Sequence, residues 1–536
     1  MKTNKINPIL FIVPLFVIGW GMFSMLFYDT FYSRAVDPEY PYLINGLNVS
    51  LLEFKRIGHF DHPGTPFQVF CGIIIRITHL FSGIDNNIAQ DVLNRPDHYL
   101  NFINIFLIAI QACLLFFIGW IGKKHAIRTR ILFILQLSFL CNFLLIDVFN
   151  RVIPERWLII TSILFIIIYL QYGYGNRKPF HFAVWSGIIM GMGMATKFNF
   201  LPIIFLPFLF IGTNKNRLIY AGTGIISFFI FIAPIITKFK DYWQFITGIA
   251  SHDGIYGQGE ERMFNPEATK ANLLEVFHVA PELIFIISIL ITMLVASIVY
   301  RKINKESSRT IAFSIGILLI TGLQILMVSK HFKNAYLIPL FSIYGIIFFK
   351  IDDFCTAAFT KKWLMGLFPA VISIFILFTA KDAIGNIPIQ KRQKEKREQS
   401  RQYVADNLPE NTLWFVEPTW ESAPCVENGI VYGLSYCHRI SEYLPELIQT
   451  NPNVITFEGM DNTVKIWRSK PVSLDSIVMT AAPIHIYSSP GRHADMLMEK
   501  VNQAAHNMGI EMQTDTLFSQ EETGSYIIAM QRIFRK

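Results

Sequence analysis

Apolar residues in this chain are gathered into long runs, and that clustering limits the fold more than any other feature. The runs cover residues 8–28, 99–121, 131–149, 157–172, 181–195, 199–212, 218–236, 280–299, 310–328, 335–349 and 363–380. Crossing a bilayer takes roughly 20 apolar residues, fewer where neighbouring helices shield a short one. Lipid offers no partners for backbone N–H and C=O groups, so such segments are expected as helices. With 52% hydrophobic and only 16% charged residues, the 536-residue chain lies outside the range of an ordinary soluble domain. The first run follows Lys2 and Lys5 and lacks a small-residue cleavage site, so it reads as a retained helix rather than a signal peptide.

The basic residues set an orientation. Lys123, Lys124, Arg128 and Arg130 share one loop, Arg177 and Lys178 a second, Lys215 and Arg217 a third. Arg301, Lys302, Lys305 and Arg309 form a fourth, and Lys350, Lys361 and Lys362 flank a fifth. The stretch 66–82 is apolar but interrupted by Arg76 and His79, which suits a surface-lying or re-entrant helix. If it does not cross, all five loops fall on the side of the N-terminus, as the positive-inside rule requires. The expectation is a polytopic α-helical membrane protein of about eleven spans, with the N-terminus inside and the C-terminus outside. The formal charge of +8 then needs no nucleic-acid partner, because cytoplasmic anchoring accounts for much of it.

This topology leaves four segments outside: 29–98, the Arg151–Arg156 turn, 237–279 and everything after about 381. A membrane domain is therefore drawn at 1–381, with its outer loops 29–98 and 237–279, and a soluble extracytoplasmic domain at 382–536. In that tail, Leu413–Val416, Ile430–Ser435, Val454–Phe457, Thr463–Trp467, Ile484–Tyr487 and Tyr526–Met530 pattern as strands. Residues 439–450 and 493–508 pattern as helices, so the tail is expected as a mixed α/β domain. Cys71, Cys113, Cys141 and Cys355 sit in or beside apolar runs and read as packing residues. Cys425 and Cys437 lie in the exported tail, where both a disulfide and two free thiols stay open.

Polar residues that could carry chemistry collect in the outer segments. Asp37-Pro38-Glu39-Tyr40 follows the first span, and His59-Phe60-Asp61-His62-Pro63-Gly64 comes later in the same loop. Carboxylates and imidazoles at a bilayer surface suit work on a membrane-presented substrate, while the plain reading is an ordinary polar loop. Arg151 and Glu155 bracket the next outer turn, where Pro154 and Glu155 also suit a helix start. Lys197 lies between two short runs, and Lys330-His331-Phe332-Lys333 closes another outer turn. Cations retained outside run against the topological bias, so an anionic headgroup or phosphate is a natural partner. Interfacial snorkelling is the plain alternative. The loop His252-Asp253-Gly254-Ile255-Tyr256-Gly257-Gln258-Gly259-Glu260 is either a flexible turn or a substrate lid, and it lacks the lysine of a phosphate-binding P-loop.

In order and sidedness these motifs resemble the GT-C superfamily of glycosyltransferases, nearest to the protein mannosyltransferase and lipid A aminoarabinose transferase type. The likeness covers roughly residues 8–380 and rests on Asp37-Pro38-Glu39, His62-Pro63-Gly64-Thr65, Arg151–Glu155 and Thr196-Lys197. Where that type carries an adjacent Asp-Glu pair, a proline here separates the two carboxylates. The resemblance implies inverting transfer of a sugar from a polyprenyl-phosphate donor to a lipid, glycan or protein acceptor at the outer face of a membrane. That membrane is a bacterial inner membrane or an endoplasmic reticulum, and the absence of a eukaryotic retention signal favours the bacterial one. The same resemblance implies Asp37, or Glu39, as the base for the acceptor hydroxyl. Lys197, Lys330, His331, Lys333 and Arg151 would bind the donor phosphate. Glu155, His59, Asp61, His62, His252 and Tyr256 would support the substrates. A divalent ion on Asp37, Glu39 and Glu155 is compatible with some families of the group. Two other classes fit many spans, a transporter or lipid flippase and a non-catalytic scaffold of the cell envelope. Charges gathered at one face and the lack of an evident internal repeat weigh against the transporter.

Overall fold

The computed structural model describes residues 6–34, 36–61, 64–254, 257, 259–300, 306–358, 362–407, 412–416, 425–437, 439–458, 463–480, 484–488, 492–520 and 525–533. The chain separates into two compact units. Met1–Phe23, Phe60–Phe67 and Ile105–Gly385 form the first, and Ser24–His59, Gln68–Asn104 and Asn386–Lys536 the second.

Six of the described helices are long and apolar enough to cross a membrane: Pro8–Phe27, Pro96–Lys124, Pro154–Asn176, Glu282–Val299, Ser308–Lys330 and Ile372–Asn407. Three further segments are bent pairs, Thr129–Leu140 with Phe143–Asn150, Asn214–Phe231 with Ala233–Ser251, and Asn334–Ser342 with Tyr344–Thr356. Counting each pair as one gives up to nine candidate spans by length and composition. The breaks have local causes. The Asn142 side chain caps the helix beginning at Phe143, accepting from the Leu144 N–H at 2.8 Å, and this stops the preceding helix. A proline at the start of Ala233–Lys238 cannot continue the helix before it. The runs expected at 181–195 and 199–212 form the α-helix Pro179–Thr196 and the 3₁₀ helix Phe198–Leu209. Pro202 and Pro207 inside the latter deny it the α-helical ladder.

Packing in the first unit uses close backbone contact and a few buried polar links. Helices Pro179–Thr196 and Asn214–Phe231 meet where a side chain on Gly191 would come within 2.6 Å of the Gly224 carbonyl oxygen. Only a glycine admits that approach. The buried Gln136 amide donates to the carbonyls of Leu10 at 3.0 Å and Leu115 at 2.8 Å, tying three segments together.

The second unit joins much of the first outer loop to the tail. Its sheet contains β1 Leu413–Val416, β2 Val454–Glu458, β3 Thr463–Ile466, β4 Lys470–Pro471, β5 Ile484–Ser488, β6 Glu511–Gln520 and β7 Ser525–Ile533. The order is β4-β3-β2-β1-β5-β7-β6, with β1 parallel to β2 and β5 and the other pairings antiparallel. One face carries Phe415, Ile455, Phe457, Val464, Ile484 and Ile486 against Leu497 and Val501 of the helix Arg492–Asn507. The segment expected as a strand at Ile430–Ser435 is instead the helix Val426–Leu434. Gly429 and Gly433, one turn apart, let this helix close on Tyr40 and Ile44 of the loop helix Glu39–Ser50. A short apolar run does not distinguish strand from helix, and this tertiary contact decides it.

Asparagines fix the same joint. Asn45 donates to the Tyr436 carbonyl at 2.9 Å and accepts from the Gly58 N–H at 3.0 Å. Asn48 donates to the Arg56 carbonyl at 3.1 Å and accepts from the Tyr443 hydroxyl at 2.8 Å. Compactness thus divides the chain along a different line from the composition boundary at 381/382, which falls within the 46-residue helix Lys362–Asn407. Cys425 and Cys437 are both free thiols.

Candidate functional site

In the first unit the site is built on a helix start and a chain break. Pro154 occupies the first turn of the helix Pro154–Ile168 and places Glu155 beside it, 3% exposed. The helix Pro179–Thr196 ends at Lys197, whose extended backbone (φ −160°) leads into Phe198–Leu209. From that break the Lys197 ammonium, itself buried, reaches the Glu155 carboxylate at 2.5 Å. The Tyr336 ring lies 4.8 Å from the same ammonium, a cation–π contact. Lys333 opens the turn that carries Tyr336, accepting from the Tyr336 N–H at 2.9 Å, and its charge acts on Lys197. Lys333 is exposed, and its charge reaches the buried Lys197–Glu155 pair.

A second segment docks there. Gly64 adopts φ +58°, and its N–H donates to the Thr196 carbonyl at 3.0 Å, which sets Gly64 and Thr65 against the Lys197 break. Phe67 and Trp157 pack with ring centroids 6.2 Å apart on the same side of the helix start. Asp61 is half-buried, and burial pushes its carboxyl above the usual range. Thr65 is fully buried with no partner for its hydroxyl, and neither amide atom of Asn199 has a partner among the described residues.

The other residues of this unit singled out by sequence fall into different settings. Lys330 donates to the Ile249 carbonyl and, at 3.3 Å, to the Ala250 carbonyl, and lies 5.6 Å from the Phe264 ring. It closes the C-terminal end of the helix Phe239–Ser251, where a cation is favoured. The His331 Nε2 is buried without a partner among the described residues, and burial together with the Lys330 charge pushes its imidazole below the ordinary range. Arg151 offers its carbonyl to the Arg156 guanidinium at 3.2 Å. His252 caps its own helix through Ser251 and the Gly248 carbonyl, at 2.9 and 3.3 Å. Asp253 pairs with Arg262, and that hydrogen bond holds its carboxyl below the usual range. His62 and Tyr256 lie outside the described residues.

Asp37, Glu39 and His59 belong to the second unit. Asp37 is half-buried and joined to Pro38 by a cis peptide, and Glu39 is fully buried in the first turn of the helix Glu39–Ser50. The His59 ring lies between Tyr42 and Tyr436, with centroids 5.0 and 5.1 Å away, and the His59 carbonyl accepts from Gln68 at 2.9 Å.

The structure therefore brings Glu155, Lys197 and Lys333 together with the segment that carries Asp61, and it engages Lys330 and His252 with helix ends. Sequence reasoning passed over Tyr336, Thr65 and Asn199. Thr65 stands inside the marked His62–Thr65 motif, Asn199 two residues after Lys197, and Tyr336 three residues after Lys333. Among the described residues no group of three or more His, Cys, Asp or Glu side chains is placed to hold a metal, and Glu155 is engaged by Lys197. Comparison with protein-family models, curated proteins and solved structures finds no match to the chain.

Proposed function

We propose that this protein is a membrane glycosyltransferase that moves a sugar from a polyprenyl-phosphate-linked donor to an acceptor at the outer face of the membrane. The observation that carries the reading is the buried Lys197–Glu155 pair with Lys333 alongside, at the ends of apolar helices. A cation at that depth is costly unless it has both a partner and a purpose. An ammonium has three N–H donors, and the carboxylate occupies one, leaving donors for a phosphate oxygen. Apolar helices around it suit a lipid tail. In the reaction the acceptor hydroxyl attacks the anomeric carbon, the bond from that carbon to the phosphate oxygen breaks, and configuration inverts. Asp37 takes the hydroxyl proton as attack proceeds, with Glu39 the other carboxylate for that role. Lys197 and Lys333 stabilise the charge that builds on the departing lipid phosphate. The finer topology belongs to the same proposal. Counting Pro179–Thr196 and Phe198–Leu209 as short spans beside the nine candidates gives eleven, with the N-terminus cytoplasmic and the C-terminal domain outside.

The buried pairing shapes the test. Lys197→Ala would strand a buried carboxylate and cost about 3–5 kcal/mol of stability, confounding any loss of activity. The neutral double variant Lys197→Met/Glu155→Gln, and Lys333→Ala, avoid that. Each should lower turnover by about 10²-fold at saturating donor while melting near wild type. Wild-type turnover in both variants would remove the phosphate role from this pair.

A further inference from the structure

Three side chains near the Lys197 break carry hydrogen-bonding capacity that the described residues do not use. The Thr65 side chain is fully buried, and its hydroxyl has no partner among the described residues. Both the nitrogen and the oxygen of the Asn199 amide are shielded from solvent and unpartnered among the described residues. Asp61 is half-buried and has no hydrogen bond or ion pair among the described residues. One backbone hydrogen bond tethers the segments that carry them. Gly64, next to Thr65 and three residues after Asp61, is hydrogen-bonded at 3.0 Å to the Thr196 carbonyl, three residues before Asn199. Three residues span at most about 11 Å even when extended. Lys197, paired with Glu155, lies between Thr196 and Asn199.

Buried polar groups are nearly always hydrogen-bonded, so the unused capacity of Thr65 and Asn199 calls for an external partner. Their chemistry says which kind. The Asp61 carboxylate and the Asn199 carbonyl accept hydrogen bonds, and a phosphate has only acceptors to offer them. A polyhydroxylated group both donates and accepts, and so satisfies an amide, a hydroxyl and a carboxylate together. From this complementarity we infer that Asp61, Thr65 and Asn199 form a sugar-hydroxyl subsite beside the Lys197–Glu155 pair. This rests on the glycosyltransferase reading for the source of the sugar, and it assigns the two halves of the donor. Lys197 and Lys333 take the phosphate, and the Asp61–Thr65–Asn199 side takes the glycosyl hydroxyls.

Purified full-length protein is titrated with bare undecaprenyl phosphate, with a panel of undecaprenyl phosphates bearing one hexose or pentose, and with the free methyl glycosides. The variants are Thr65→Val, Asn199→Leu and Thr65→Ser. Wild type should bind at least one glycosylated lipid more tightly than the bare lipid phosphate. Thr65→Val and Asn199→Leu should each erase about threefold to tenfold of that difference, the worth of one or two neutral hydrogen bonds. They should leave bare-phosphate affinity and melting temperature unchanged, and Thr65→Ser should retain the preference. Equal loss for bare and glycosylated lipid would overturn the subsite, as would no loss in either variant. Lipid phosphate bound through Lys333 with no gain from any sugar would sink the subsite and leave the transferase reading standing. Methyl glycosides bound through Thr65 and Asn199, with no lipid phosphate bound, would do the reverse. Binding of neither would remove both.

Discussion

Asp61 shows how a single half-buried residue can cost stability. Its carboxyl is half-buried without a compensating cation among the described residues, and burial raises its folded-state pKa above the unfolded value. The folded protein therefore holds that proton more tightly than the unfolded chain does. Stability falls as pH rises through the unfolded value near about 4 and goes on falling until the folded value is passed. Asp61→Asn removes this term, so above that window the variant should melt higher than wild type, and the two curves should converge in acid. Melting profiles across pH check it, and a lower melting temperature at neutral pH would show Asp61 in a stabilising contact instead. Lys197 is the opposite case, a buried charge held by one carboxylate whose loss would be felt throughout its surroundings.

At the scale of elements, close contacts rather than propensity decide what forms. A side chain at Gly433 would meet the Tyr40 carbonyl oxygen at 2.9 Å, and backbone cannot move aside as a flexible side chain can. Gly433→Ala should therefore destabilise the second unit by about 1–3 kcal/mol. Gly385→Ala, which would meet nothing within 4 Å in its helix, should be neutral or mildly stabilising. Thermal unfolding of both variants tests this, and equal stability would deny the Tyr40 contact its role. The same contact explains what the sequence could and could not disclose. Strands β1, β2, β3, β5 and β7 and the helices Ile440–Thr450 and Arg492–Asn507 were legible, because alternation and helical period are local. The helix Val426–Leu434 was not, because its apolar run is short and its partner lies nearly four hundred residues earlier in the chain. Strand β6 escaped because Glu511–Gln520 is polar and largely exposed. Among site residues, Glu155 and Lys197 were marked separately, and the contact between them became visible only in three dimensions.

For the whole molecule, apolar runs carried most of the architecture. Every run matches a helix or a bent helix pair, and the differences concern length and bending at Asn142, at the start of Ala233–Lys238 and at the prolines of Phe198–Leu209. The long helix Lys362–Asn407 leads from the last apolar run into the second unit. That unit also contains Asp37 and Glu39, so the carboxylates proposed as bases share their compact body with the tail. This gives the tail a physical task in the proposal, which is to hold the helix Glu39–Ser50 through Gly429, Gly433 and the Asn45–Tyr436 and Asn48–Tyr443 bonds. The most direct measurement is sugar transfer by the purified full-length protein, from a panel of polyprenyl-phosphate-linked sugars to membrane-lipid, glycan and peptide acceptors, beside Asp37→Asn and Glu39→Gln. The account predicts transfer from at least one donor with inversion at the anomeric carbon, and a loss beyond about 10²-fold in Asp37→Asn or, if Glu39 is the base, in Glu39→Gln. Transfer undiminished in both variants, or no transfer from any donor by well-folded protein, would contradict it.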